Sequence, residues 1–184
     1  MNCTEELVEE HKPIKTMLWV LSEICSKLEA REQVEPEKLE KMVEFIRMFA
    51  DKCHHGKEED VLFPVMSELH DPVADKLVSI LLKEHVKGRS YVAKMAKSIE
   101  SYKNGRDAST KTIAKNGRSY VTLLTGHIPK EDNVTFPLAN AMVSEIKQKK
   151  ILEDYKRIEK ERIGEGGHER LLGILEELKC VYCH

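Results

Sequence analysis

The sequence predicts an all-α protein, an up-down-up-down four-helix bundle over residues 1–142 followed by a helical extension over 143–184. Three observations carry that prediction. Apolar residues recur in steps of three and four along four long stretches, as amphipathic helices require, and the alternation of half-buried strands is absent. Start and stop signals separate the stretches by short loops, which makes consecutive helices antiparallel neighbours. The chain also repeats itself. His54-His55-Gly56-Lys57-Glu58-Glu59-Asp60-Val61-Leu62-Phe63-Pro64 returns without a gap as His127-Ile128-Pro129-Lys130-Glu131-Asp132-Asn133-Val134-Thr135-Phe136-Pro137, and Glu10-His11 and Glu84-His85 stand at nearly the same distance ahead of the two copies.

In the first helix Thr4 is the expected cap, with Glu5 and Glu6 favourable at the positive end of the dipole. Its stripe is Leu7, Ile14, Leu18, Leu21, Cys25 and Leu28, with His11 in the missing step. Pro13 implies a late start or a kink beside that histidine. Glu35-Pro36 opens the second helix, whose stripe of Leu39, Met42, Val43, Ile46, Phe49 and Cys53 leads into the first motif. Carrying the period back from Val61 and Val65 turns Glu58 and His54 inward and leaves His55 and Glu59 aside or outward. Asp71-Pro72 starts the third helix, with Ala74, Leu77, Leu81, Gly88, Val92, Met95 and Ile99 on one face and His85 in its gap. Asn104-Gly105 ends it. Asp107 is the expected cap of the fourth, which carries Ile113, Gly117, Tyr120, Leu124, His127 and Glu131 on one face. From Val143 a Lys- and Glu-rich helix runs to Gly164, and a short amphipathic helix with Leu171, Leu172, Leu175 and Leu178 follows. This extension is expected on the outside of the bundle or against a second copy of the chain, as a homodimer contact. Trp19, Tyr91 and Tyr120 read as core residues, and His70 and His168 as loop and surface positions.

Composition narrows the function. A charged fraction of 34 % that balances to a net charge of −2 creates no global field, so neither nucleic acid nor a membrane surface is an expected partner. No apolar run approaches the roughly 20 residues that span a bilayer. Glu5, Glu6, Glu9 and Glu10 make the N-terminus the reverse of a signal peptide, and a cytoplasmic location is expected. Five irregularly spaced cysteines make no disulfide framework. Cys180-Val181-Tyr182-Cys183-His184 spells the c-haem attachment pattern, but attachment requires export, and the segment reads as a frayed end.

The chemistry lies in the duplicated motifs. Residues four apart on a helix project from one face, so each copy offers a His-plus-carboxylate pair, and each upstream histidine adds an imidazole. Four imidazoles and two carboxylates then turn inward: His11, His54, Glu58, His85, His127 and Glu131. Burying such groups without partners costs several kcal/mol each, against a net domain stability of about 5–15 kcal/mol. Neutral imidazoles and carboxylates are metal ligands, and a carboxylate can bridge two ions. Two facing units therefore read as a site for two metals. Gly56 and Pro129, placed inside the two ligand segments against helix propensity, mark either a functional distortion or a packing kink.

His11, the stretch from His54 to Pro64, Glu84-His85-Val86-Lys87-Gly88-Arg89 and the stretch from His127 to Pro137 together resemble the hemerythrin-like family, the HHE cation-binding domains. The resemblance covers about residues 5 to 142. It implies a four-helix bundle around a non-haem di-iron centre with an oxo or hydroxo bridge and one position open to dioxygen. By that resemblance His11, His54, His85 and His127 are terminal ligands, Glu58 and Glu131 are bridging carboxylates, and His55 is a reserve ligand. Oxygen carriers of the family have a further histidine where this chain has Arg89, and a guanidinium cannot ligate a metal. The reading that follows is a protein binding or sensing dioxygen, nitric oxide or iron, with a di-iron enzyme that reduces peroxide or acts as an oxidase as the alternative. Zinc and manganese suit the same donors.

Overall fold

The computed structural model describes residues 2–182, and among these every long element is a helix. Helix α1 is Cys3–Glu29. Helix α2 covers 36–67 and is composite: an α segment Pro36–Phe45, a π-helical segment Ile46–His55, a second π segment Glu58–Leu62 and a closing α turn Phe63–Ser67. Helix α3 is Pro72–Lys103. Helix α4 covers 109–142, as Ser109–Lys130, the π segment Glu131–Thr135 and Phe136–Met142. Helices α5, Glu145–Ile163, and α6, Gly167–Tyr182, complete the chain. No helix among the described residues is long and apolar enough to cross a membrane.

The start signals are partly as expected. Asp71 caps α3 by accepting from Val73 N and Ala74 N, with Pro72 in the first turn. Gly105, at φ +83°, follows its end in the left-handed conformation that glycine tolerates. Helix α1 starts earlier than Thr4: Asn2 is the cap, and Glu5 reaches back to the Asn2 N–H to close a capping box. Pro13 neither delays nor breaks α1. The carbonyl it deprives of a partner belongs to Glu9, an exposed residue that water can serve. The cap of α4 is Ala108, with no side-chain hydrogen bond, rather than Asp107.

The four bundle helices bury the expected stripes, with two exceptions. Val78, not Leu77, fills the α3 stripe, and Trp19 is 47 % exposed on the outer face of α1 instead of in the core. Helices α1 and α4 approach closely because Gly117 has no side chain: a Cβ there would stand 2.5 Å from Cys25 Sγ. The apolar core is split in two. One cluster joins the α1 face from Ile14 to Leu28 with Leu39 to Ala50, Val92 to Ile99 and Ile113 to Ile128, and α6 adds Leu171, Leu175 and Leu178 to it. The other joins Cys3 and Leu7 with Val61 to Met66, Ala74 to Leu81 and Phe136, and α5 adds Ile151, Tyr155 and Ile158. The extension thus packs on the bundle of its own chain. Between the two clusters, at the level of residues 11, 54 to 58, 85 and 127 to 131, lies a buried polar layer.

Candidate metal centre

The π segments build this layer. Closing bonds from i to i+5 instead of i+4 makes each residue advance less around the axis, so successive side chains diverge less. The Gly56 N–H bonds to the Asp51 carbonyl in this wider register. His54 and His55 therefore both turn inward, 1 % and 5 % exposed, which corrects the outward placement of His55 that an α-helical period gives. Gly56 lies under α5, where a Cβ would meet Ile158 and Arg162 at 3.6 Å, an ordinary van der Waals contact. With α5 over the other side, all residues from Cys53 to Glu58 are buried.

All six sequence-predicted residues meet here. His11, His54, Glu58 and Glu131 form one group and His55, His85 and His127 a second, each able to bring one ligand atom per residue within 4.8 Å of the others. Glu58 and Glu131 are fully buried.

The outer nitrogen of four of the rings is held by a carboxylate. His11 Nδ1 lies 2.6 Å from Asp132, His54 Nδ1 2.9 Å from Glu10, His85 Nδ1 2.7 Å from Glu59 and His127 Nδ1 2.8 Å from Glu84. Asp51 stands 3.5 Å from His55 Nδ1, beyond hydrogen-bond geometry. Each carboxylate has a cation on its far side: Lys15 on Asp132, Lys57 on Glu10, Lys130 on Glu84, and Arg89 on both Glu59 and Asp51. A ring that donates Nδ1–H to a carboxylate presents a bare Nε2, the tautomer that a metal-ligating histidine requires.

Those bare nitrogens converge on one another and on the buried acids. His85 Nε2 and His127 Nε2 are 3.0 Å apart, His127 Nε2 is 3.0 Å from Glu131 Oε1, and His11 Nε2 is 3.3 Å from Glu131 Oε2. Yet His11 Nε2, His54 Nε2 and all four oxygens of Glu58 and Glu131 lack a hydrogen-bond partner. Lone pairs that face each other in a buried layer repel unless a positive charge stands among them. The layer's own acidities show the same demand. Burial pushes His11 and His85 down, but Asp132 and Glu131 for the first and Glu131 and Glu59 for the second outweigh it and raise both. Burial and the neighbouring imidazoles hold His54 and His55 well below the ordinary histidine range. Burial and Glu131 drive Glu58 up, while contacts with His11, His127 and His85 overcome burial and keep Glu131 down. Without a metal, the acids favour positive charge on His11 and His85, while burial and the neighbouring rings oppose it on His54 and His55.

The described thiols are not part of this. Burial pushes Cys3 and Cys25 up to about 11 and Cys53 up to about 12, which leaves them as inert core groups. Cys180 is exposed, and Cys183 and His184 of the haem-like pattern lie outside the described residues.

The family model described as the hemerythrin HHE cation binding domain matches residues 2–139. The chain belongs to this family. Its His and Glu clusters are suited to hold metal cations, as an HHE cation binding domain implies. Uncharacterized proteins of Mycobacterium tuberculosis and Mycobacterium bovis are each 24 % identical over 178 residues, covering 95 % of this chain and 68 % of the relative. No solved structure matches the chain.

Sequence reasoning missed three contributions. His55 was displaced by the assumption of an α period, and Gly56 beside it was the only sign of a changed helix. The carboxylates on the outer nitrogens are visible in the repeat itself: Glu10 and Glu84 precede the upstream histidines, Glu59 and Asp132 follow Glu58 and Glu131, and Lys57 and Lys130 hold equivalent places. Tyr155 and Glu159 of α5, which enclose Lys57, carry no motif, and only the packing of α5 reveals them.

Proposed function

We propose that this HHE domain is a non-haem di-iron protein that binds or senses dioxygen, nitric oxide or iron itself. In this reading His55, His85 and His127 would hold one ion and His11 and His54 the other, with Glu58 and Glu131 as carboxylates that both ions could share. The observation that carries it is the set of unpartnered lone pairs: the Nε2 atoms of His11 and His54 and four carboxylate oxygens, buried together with no donor among them. Mixed imidazole and carboxylate donors also suit manganese and zinc, but structural zinc prefers closed, thiolate-rich sites, and paired metals sharing carboxylates in a bundle are the pattern of di-iron chemistry. A bound iron pair supplies one-electron redox chemistry and a position for a diatomic ligand. The chain supplies the rest. Asp132, Glu10, Glu59 and Glu84 fix the tautomer and orientation of the imidazoles, and the apolar clusters bury the layer from both sides. Arg89 takes the place of a fifth family ligand and holds the two acids behind His55 and His85.

Reconstitution with ferrous iron under nitrogen, then air oxidation and Mössbauer spectroscopy, tests the reading. Two irons per chain in a coupled, diamagnetic diferric pair are expected. Uncoupled mononuclear iron, or zinc that iron does not displace, contradicts it.

The alternative, peroxide reduction or substrate oxidation at the same centre, is favoured by one observation. A cavity reaches His55, His85 and His127 from the surface. Multiple-turnover peroxide consumption by the iron-loaded protein is its test.

A further inference from the structure

The cavity beside the three histidines has a volume of about 200 Å³. An apolar cavity of about 150 Å³ is enough to hold benzene, so the space exceeds what a diatomic molecule needs. Its inner end is formed by His55, His85 and His127, all buried, and its mouth by Arg47 and Ala93, both exposed. Between them the wall is largely apolar, with Val92 and Leu124 facing the space. Gly88 lies against the Tyr120 ring, 3.4 Å from the place of its missing Cβ.

The polar groups of the wall divide into engaged and unengaged. Asp51 pairs with Arg89, and Glu84 with His127 and Lys130, so the acids have their donors already. Three groups of the wall have no hydrogen-bond partner among the described residues: His55 Nδ1, the hydroxyl of Tyr120, and the exposed Arg47 guanidinium, which is the cation of the wall that no acid pairs. A guanidinium is a donor that stays charged, and a carboxylate is the partner it pairs with best. A pocket with an apolar wall and an unpaired cation at its mouth selects an anion with an apolar body.

We infer that this cavity is a binding site for a small organic monocarboxylate of about the size of benzoate. Its hydrocarbon body lies against Val92 and Leu124, and its carboxylate pairs with Arg47 at the mouth. As a statement about substrate class this rests on the metal reading above, because it places the occupant beside the three-histidine ion. As a statement about binding it rests on the cavity alone.

The experiment titrates benzoate, benzyl alcohol and inorganic phosphate separately into the metal-free and the metal-loaded full chain, followed by ligand-observed NMR and calorimetry. Benzoate is expected to bind both forms at one site and more tightly than benzyl alcohol, with phosphate a poor competitor. Arg47→Met is expected to weaken benzoate about tenfold, the loss of a charged hydrogen bond, and to leave benzyl alcohol unchanged. Ala93→Trp, at an exposed position, is expected to block both ligands while metal content and melting temperature stay as in the parent. The proposal is overturned if benzoate binds neither form, if phosphate competes as well as benzoate, or if either variant binds benzoate like the parent. Benzoate binding by a chain that takes up no metal would defeat the di-iron reading and leave the site standing, so the two failures are distinguishable.

Discussion

The two halves of the duplicated site use the same parts in unequal surroundings. Glu10 of the first unit joins His54 to Lys57, and Glu84 of the second joins His127 to Lys130. The upstream histidines are held crosswise, His11 by Asp132 of the second unit and His85 by Glu59 of the first. The cations behind those two acids, Lys15 and Arg89, each stand one turn after the upstream histidine. Against this symmetry two differences stand out. Lys57 is 1 % exposed and enclosed by Glu6, Glu10, Glu159 and the Tyr155 ring, whereas Lys130 is 42 % exposed. His55 of the first unit corresponds to Ile128 of the second, so the centre has three imidazoles at one end and two at the other. Duplication supplies the buried His and Glu set, while a single covering helix and a single substitution make its ends different.

Removing the matched lysines should break the symmetry most visibly. Lys57→Met strips the cation from a buried network and leaves Glu10 without its ammonium, and a loss of about 3–5 kcal/mol in urea unfolding is expected. Lys130→Met removes a half-exposed partner and should cost at most about 1 kcal/mol. Equal losses would mean that the cover of α5 contributes nothing. The matched glutamates should behave alike instead. Glu10→Gln and Glu84→Gln each loosen one imidazole of the proposed centre, and each is expected to weaken metal binding by about 10–100-fold in competition with a chromophoric chelator. An effect at one position alone would show that the geometric symmetry is not energetic.

The smallest effect is on the pH dependence of the metal-free protein. His54 and His55 are held below the ordinary value of 6.5 by burial, so their stabilising share is present above pH 6.5 and lost as pH falls. His11 and His85 are held above it because the acids around them outweigh burial, so their share is full below pH 6.5 and lost as pH rises through their folded values. Opposite signs give apo stability a maximum instead of a monotonic trend, with Glu58, raised by burial and Glu131, adding to the loss on the high-pH side, and chemical denaturation at a series of pH values reads it. Asp51, Glu59, Glu84 and Asp132 are all lowered, because their cationic and imidazole partners outweigh burial, and they add a further loss as pH falls below about 4. A monotonic rise of stability through pH 8 would contradict the assignment of His11 and His85.

Much of this was legible in the sequence because it depends on spacing. The helical stripes place His11 and His85 in gaps of an apolar face, and the repeat adds His54, Glu58, His127 and Glu131. What spacing does not reveal is a change of helix type. The π segment Ile46–His55 moves His55 inward by altering the period on which the reading depended. Nor does it reveal partners brought in from far along the chain, as Glu159 is to Lys57. Trp19 shows the reverse failure: a large apolar side chain implies burial, but its place on α1 faces solvent.

One duplicated site is proposed to hold two ions, with three imidazoles at one end and two at the other. Elemental analysis with anomalous diffraction from crystals of the metal-loaded chain tests it directly, alongside the His55→Ala variant. Two ions per chain are expected, one beside His55, His85 and His127 and one beside His11 and His54, with His55→Ala depleting the first and leaving the second. A single fully occupied ion in the parent, or both ions retained at full occupancy in His55→Ala, would contradict it.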